Sequence, residues 1–217
     1  MTNTVKRHSP PDAKRCAFTD YRPQKMPFGF NESDPRCIDF KRRVKETIQA
    51  LYDMGYRHFI SGGALGMDMF AAEAVLELRA RHPDMILEMV SPFDDQAARW
   101  SPELRARHDW LFAQADITIA TGHAYTRSAM FRRNHYLVDN ADLLLAAYDG
   151  QSGGTAMTCE LARCVCHALG LHIARRQAPV QRPQRNRRGK GNLQRRHDPE
   201  PLPDSRHLLF RMGASRK

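Results

Sequence analysis

"HFISGGALGMDMFAAE", residues 58–73, closes an apolar run on three glycines within five residues and reopens at once as an alanine-rich helical pattern. A strand that passes straight into a helix through bare backbone is the junction at which open α/β sheets bind ligands, because loops meet helix N-termini at the carboxyl ends of the strands. Gly62, Gly63 and Gly66 remove side chains that would hold a ligand off the backbone. They also permit positive φ, so successive N–H groups can converge on an anion. The following helix places its partial positive charge at the same spot, and together these features make a phosphate cradle. The same pattern also suits a tight turn that only packs a helix against a strand.

The pattern recurs, which favours the cradle. "YDGQSGGTAM", residues 148–157, again follows an apolar strand, carries Asp149, Gly150, Gly153 and Gly154, and opens a helix at Thr155. Two cradles on one edge of a sheet suit the two ends of a nucleotide, or a diphosphate and its sugar. Neither stretch continues into the GK[ST] of a phosphate-binding P-loop, and neither is a GxGxxG, so ATP hydrolysis and ordinary nicotinamide binding are poorly supported.

Outward from these junctions, strand-like and helix-like segments alternate. "RCAFT" (15–19), "RHFIS" (57–61), "MILEMV" (85–90), "DITIA" (116–120), "DLLLAAYD" (142–149) and "LHIA" (171–174) read as strands. Between them lie "RCIDFKRRVKETIQALYDMG", with Ile38, Val44, Ile48 and Leu51 as its inner face and Gly55 as its stop, and "GMDMFAAEAVLELRARHP", ended by Pro83. "PELRARHDWLFAQA" opens behind the N-cap pair Ser101 and Pro102, and "MFRRNHYLVDNA" and "TAMTCELARCVCHALG" complete the set. This alternation predicts a Rossmann-like, doubly wound α/β domain over residues 15–174, with a mainly parallel sheet, helices on both faces and right-handed crossovers.

Further polar residues fall on the loops at the presumed binding edge. Thr19 and Ser61 end the first two strands, and Arg22 in "FTDYRP" is placed to pair with a phosphate. Asp68 suits either ribose hydroxyls or the first turn of its own helix. Trp100 suits stacking on a base, although packing explains such a tryptophan more often. Arg132, Arg133 and Asn134 are read near a helix start, where a positive pair opposes the helix dipole and an anionic ligand explains it; solvent-facing arginines are the alternative.

The charge balance separates body from tail. Over 217 residues the formal net charge is +10, but residues 1–174 carry 21 basic and 21 acidic side chains, whereas residues 175–217 carry 13 and 3. That basic tail is rich in Pro, Arg, Gln and Gly, and its composition predicts disorder and a candidate nucleic-acid contact through counterion release, with a purely solubilising tail as the alternative. Residues 1–14 are read as a flexible, polar N-terminus without the apolar core of a signal peptide. With no run of ~20 apolar residues, the expectation is a cytoplasmic protein without a membrane partner. Five cysteines imply no disulfide framework, and Cys159, Cys164, Cys166 and His167, read on one helix, lack the spacing of a zinc site.

"FTDYRPQKMPFG", "FISGGALGMDMFAAEAVLELR", "RRNHYLVDNADLLLAAYDG" and "SGGT" together resemble the YpsA-like family of the SLOG superfamily, whose relatives include the Smf/DprA DNA-processing protein and the LOG phosphoribohydrolases. The likeness spans about residues 15–174 and leaves out the tail. It implies a Rossmann-like fold binding a nucleotide or a derivative of ADP-ribose or NAD type, with Gly62, Gly63, Gly66, Asp68, Gly153, Gly154 and Thr155 in the site. The family's first-loop pattern, TGHRP, is here Thr19-Asp20-Tyr21-Arg22-Pro23, and a carboxylate at Asp20 repels phosphate and suits sugar hydroxyls instead. The enzymatic relatives carry PGGxGTxxE, whereas here "SGGTAMTCE" puts Glu160 beyond the matching position, so no catalytic residue is transferred. The expectation is therefore a nucleotide-derivative binding or sensing protein with no certain cofactor. A nucleoside-phosphate hydrolase and a nucleic-acid-associated protein are the alternatives, and a homodimer is compatible with either.

Overall fold

Among the described residues six strands and five helices alternate: β1 (Lys14–Asp20), α1 (Pro35–Asp53), β2 (Tyr56–Ser61), α2 (Met67–Arg79), β3 (Ile86–Ser91), α3 (Pro102–Gln114), β4 (Ile117–Ala120), α4 (Arg127–Asp139), β5 (Leu143–Ala147), α5 (Gly154–Leu161) and β6 (His172–Arg175). A short 3-10 turn, Pro23–Lys25, follows β1. The computed structural model describes residues 10, 12–20, 22–147, 152–162 and 172–175, with backbone alone at 20 and 172–175; all lie within one unit, Met1–Val180. The tail beyond Arg175, the first nine residues, and Cys164, Cys166 and His167 lie outside the described residues.

The sheet runs in the order β4-β3-β2-β1-β5-β6. The first five strands are parallel, and β6 pairs antiparallel with β5. From β1 the chain therefore walks outward through β2 and β3 to the β4 edge, then returns to place β5 on the other side of β1. The order reverses beside β1, which in open α/β sheets is where a crevice forms.

Two apolar layers cover the sheet because successive strand residues point to opposite faces. Phe18, Phe59, Leu87, Met89 and Leu145 join α1 and α2 in one core, while Ala17, Ile60, Val90 and Leu144 join α4 and α5 in the other. Phe18 and Phe59 stack with centroids 6.1 Å apart in the larger layer. All five residues of β5 are buried, as expected of a strand covered on both faces.

Two local readings change. On α1 the inward seam is Cys37, Phe40, Val44, Ile48 and Leu51, whereas Ile38 is 56 % exposed. The helix begins at Pro35 behind the Asp34 cap, whose side chain accepts from the Arg36 N–H; at about 3.6 residues per turn Cys37 falls in line with Val44, Ile48 and Leu51, and Ile38, about 100° further round, faces solvent. Helix α4 begins at Arg127, three residues before the expected start, because Thr126 caps it by accepting from the Ala129 N–H at 3.0 Å. Arg132 and Arg133 thus lie in the helix body, and the helix-start argument for a ligand there does not hold. The Ser101 cap on α3 is as expected, with Oγ accepting from the Leu104 N–H at 3.4 Å.

Candidate functional site

The loop that joins β2 to α2 is held by its own polar atoms. Ser61 Oγ donates to the Asp68 carbonyl at 2.8 Å and accepts from the Gly63 N–H at 3.2 Å. Asp68 Oδ2 accepts from the Ala64 N–H at 3.2 Å, so a side chain in the first turn of α2 pins the loop that precedes it. Gly63 has φ +64° and Gly66 φ +106°, a region that side chains with a Cβ rarely enter. A Cβ on Gly63 would lie 2.9 Å from Phe112 Cε2, so α3 closes directly beneath the turn.

Gly62 is bare for a different reason. A Cβ there would sit 1.7 Å from Arg133 Nη1 and 2.7 Å from Asp68 Oδ2. The arginine of α4 fills that space, and its Nη1 donates to Asp68 Oδ2 at 3.2 Å with both side chains buried. Burial pushes the Asp68 carboxyl above the usual carboxylate range, against the opposing pull of Arg133 and the Ala64 N–H. Gln96, on the loop after β3, donates from Nε2 to the Gly62 carbonyl at 3.3 Å. Among the described residues, Asp68 Oδ1, Arg133 Nε and Gln96 Oε1 are buried without a hydrogen-bond partner. Three such atoms around one glycine are uncommon, because buried polar groups are nearly always satisfied.

The second glycine corner opens α5 at the end of β5. Gly153 and Gly154 are exposed, Thr155 is buried, and a Cβ on Gly154 would meet nothing within 4 Å. Because β2 and β5 flank β1 and run parallel to it, their carboxyl ends stand on the same rim, two strand spacings or roughly 10 Å apart, and each corner follows one of them along the chain. Helix α2 leaves that rim on one face of the sheet and α5 on the other. Asp149 and Gly150 lie outside the described residues.

The other expected site residues are placed as follows. Thr19 is buried in β1, paired in register with Ala146 of β5. Arg22 is exposed immediately before the 3-10 turn, two residues past the carboxyl end of β1. Arg132 is exposed; its Nε donates to the Thr121 carbonyl at 2.9 Å, which ties α4 to the loop after β4. Asn134 is half-buried on α4. Trp100 packs on the larger core with its ring edge-on to His108 at 5.3 Å, the arrangement of a packing tryptophan. Glu160 is exposed near the end of α5. The structure thus gathers Ser61, Gly62, Gly63, Asp68 and Arg133 into one cluster and leaves Arg132 and Trp100 engaged elsewhere.

Two features had no motif to reveal them. Gln96 lies in an irregular loop, and its approach to Gly62 depends wholly on tertiary structure. On the α4 face, Glu88 Oε2 lies 2.7 Å from His58 Nε2, and Tyr136 Oη donates to Glu88 Oε1 at 2.6 Å. Burial acts to raise the Glu88 pKa, but the His58 and Tyr136 hydrogen bonds outweigh it and hold the carboxyl below its usual range. The signal for this trio was two titratable side chains, His58 and Glu88, set among the apolar residues of "RHFIS" and "MILEMV". Tyr136 follows Arg133 by one helical turn, so the trio anchors the helix that carries the arginine.

Among the described residues no helix is long and apolar enough to cross a membrane, and no three His, Cys, Asp or Glu side chains group as metal ligands.

Residues 16–163 match the family model described as the YspA SLOG family. A UPF0398 protein of Bacillus pumilus (strain SAFR-032) is 30% identical over 144 residues, 65% of this chain and 77% of that protein. UPF0398 protein YpsA of Bacillus subtilis (strain 168) is 28% identical over 144 residues, 65% of this chain and 79% of that protein. The matched span contains both glycine corners together with Asp68, Gln96 and Arg133, so the family and the site coincide on the chain. With its Rossmann-like sheet and this matched span, the protein belongs to the YspA SLOG family.

Proposed function

We propose that this protein binds a nucleotide or nucleotide derivative, of the ADP-ribose or NAD type, across the rim formed by the Gly62 and Gly154 corners. The observation that carries this reading is the cluster around Gly62, where a buried Arg133–Asp68 pair and Gln96 keep three polar atoms unsatisfied at the carboxyl end of β2. Buried polar groups left without partners cost free energy, and a ligand that completes them recovers it. Family membership supports the same reading, and the order reversal beside β1 puts the two corners where open α/β sheets receive ligands. Binding, rather than hydrolysis, is the activity proposed.

Thermal unfolding of the full chain with ADP-ribose, NAD, AMP and ADP tests this, because a ligand that binds only the folded state raises the melting temperature. At least one compound is expected to give a saturable rise. Gly154→Asp puts a carboxylate at the α5 N-terminus without steric conflict, and is expected to remove that rise while the ligand-free melting temperature stays the same. No rise with any of the four would refute the proposal.

A further inference from the structure

We infer that the Gly62 corner is a sugar-hydroxyl subsite, taking a vicinal diol such as that of ribose rather than a phosphate; this rests on the reading that a nucleotide derivative binds at this rim. The reasoning is a count of donors and acceptors. Gln96 is fixed in orientation because its neighbour at 3.3 Å is the Gly62 carbonyl, which only accepts, so the amide nitrogen faces Gly62 and Oε1 is the spare acceptor. Asp68 Oδ2 is occupied by the Ala64 N–H and by Arg133, leaving Oδ1 as a second spare acceptor. Of the Arg133 N–H groups, Nε–H is the one buried without a partner. The buried, unpartnered atoms of the corner are therefore two acceptors and one donor.

The bridging diphosphate of a nucleotide derivative brings only acceptors at neutral pH, and a terminal phosphate brings mainly acceptors. A phosphate would satisfy the Nε–H but face Asp68 Oδ1 and Gln96 Oε1 with no proton between them. It would also find no net positive charge, since the guanidinium is already balanced by the Asp68 carboxylate at 3.2 Å. A pair of neighbouring hydroxyls supplies what is missing: one O–H donates to Asp68 Oδ1, the other to Gln96 Oε1, and a hydroxyl lone pair accepts from Arg133 Nε. Being neutral, it brings no ion to desolvate. Gln96 is the half-buried member of the set, so the hydroxyls enter from the side of the loop after β3. A buried site built to hydrogen-bond a hydroxyl rejects the analogue that lacks it, because its own polar groups are then stranded.

Calorimetric titration of the full chain with ADP, 2′-deoxy-ADP and pyrophosphate, with ADP-ribose as the reference for nucleotide binding, tests the inference. ADP is expected to bind at least about ten-fold more tightly than 2′-deoxy-ADP, and pyrophosphate more weakly than either. In Gln96→Leu, which changes a loop side chain outside the ion pair, ADP and 2′-deoxy-ADP are expected to bind within about two-fold of each other. Equal binding of ADP and 2′-deoxy-ADP by the unaltered chain, discrimination undiminished in Gln96→Leu, pyrophosphate bound as tightly as ADP, or ADP-ribose bound with ADP refused would each overturn the inference while leaving nucleotide binding standing. Failure of all the nucleotides to bind would remove both.

Discussion

Arg133 on α4 and Asp68 on α2 meet at 3.2 Å over the end of β2, joining helices that pack on opposite faces of the sheet. The pair passes over the backbone of Gly62, which has no side chain to obstruct it. One contact therefore links three segments, with Arg133 65 residues along the chain from Asp68. The consequences of that geometry can be measured.

Removing one partner of a buried pair strands the other as an uncompensated charge. Arg133→Met is expected to lower the stability of the fold by roughly 3–5 kcal/mol in urea denaturation. The double variant Asp68→Leu/Arg133→Met is expected to recover most of that loss, since two apolar side chains leave no charge unpaired. Additive losses in the double variant would show that the two residues act independently.

The three glycines respond differently to alanine. At Gly62 the new methyl collides with the guanidinium, and at Gly63 it collides with Phe112 in a backbone conformation that already disfavours a Cβ. Each substitution is expected to cost about 1–3 kcal/mol. Gly154→Ala meets nothing within 4 Å, and a change of no more than about 0.5 kcal/mol is expected in the same assay. A tolerant Gly62 would mean that Arg133 does not occupy the space beside it.

The Glu88 carboxyl gives the fold an acid limb. Its folded pKa lies below its unfolded value of about 4.3, so its contribution is complete above that pH and is lost as the pH falls through the folded pKa. Glu88→Gln is expected to remove this part of the acid dependence. Tyr136→Phe takes away one of the hydrogen bonds that lower the pKa, and should leave a shallower acid limb together with a lower stability at neutral pH. Denaturation midpoints measured between about pH 3 and pH 7 decide the matter; identical profiles for the three proteins would contradict it. Asp68 has the opposite sign. Its folded pKa is raised, so its contribution is present at low pH and is lost as the pH rises, and Asp68→Asn is expected to flatten that opposing slope.

Much of the architecture could be read from short-range pattern. The buried run of β5, the Ser101–Pro102 start of α3 and the two glycine corners are local signals, because strand period, cap chemistry and glycine's freedom act within a few residues. Phase was less legible. Ile38 fitted an apolar face on hydrophobicity alone, yet it lies about 100° round the helix from Cys37, which holds the seam position instead. The antiparallel pairing of β6 with β5 likewise has no signal in "LHIA".

The sequence by itself determined that strands and helices alternate, that two bare corners follow β2 and β5, and that Asp68 stands in the first turn behind one of them. Only the tertiary structure decided which side chains close on those corners. Arg133 and Gln96 reach Gly62 from 71 and 34 residues away, through strand order and helix packing. Hydrophobic periodicity specifies which face of an element is buried. It carries no information on which distant polar group will be facing it, because that depends on where the whole chain has put the next layer.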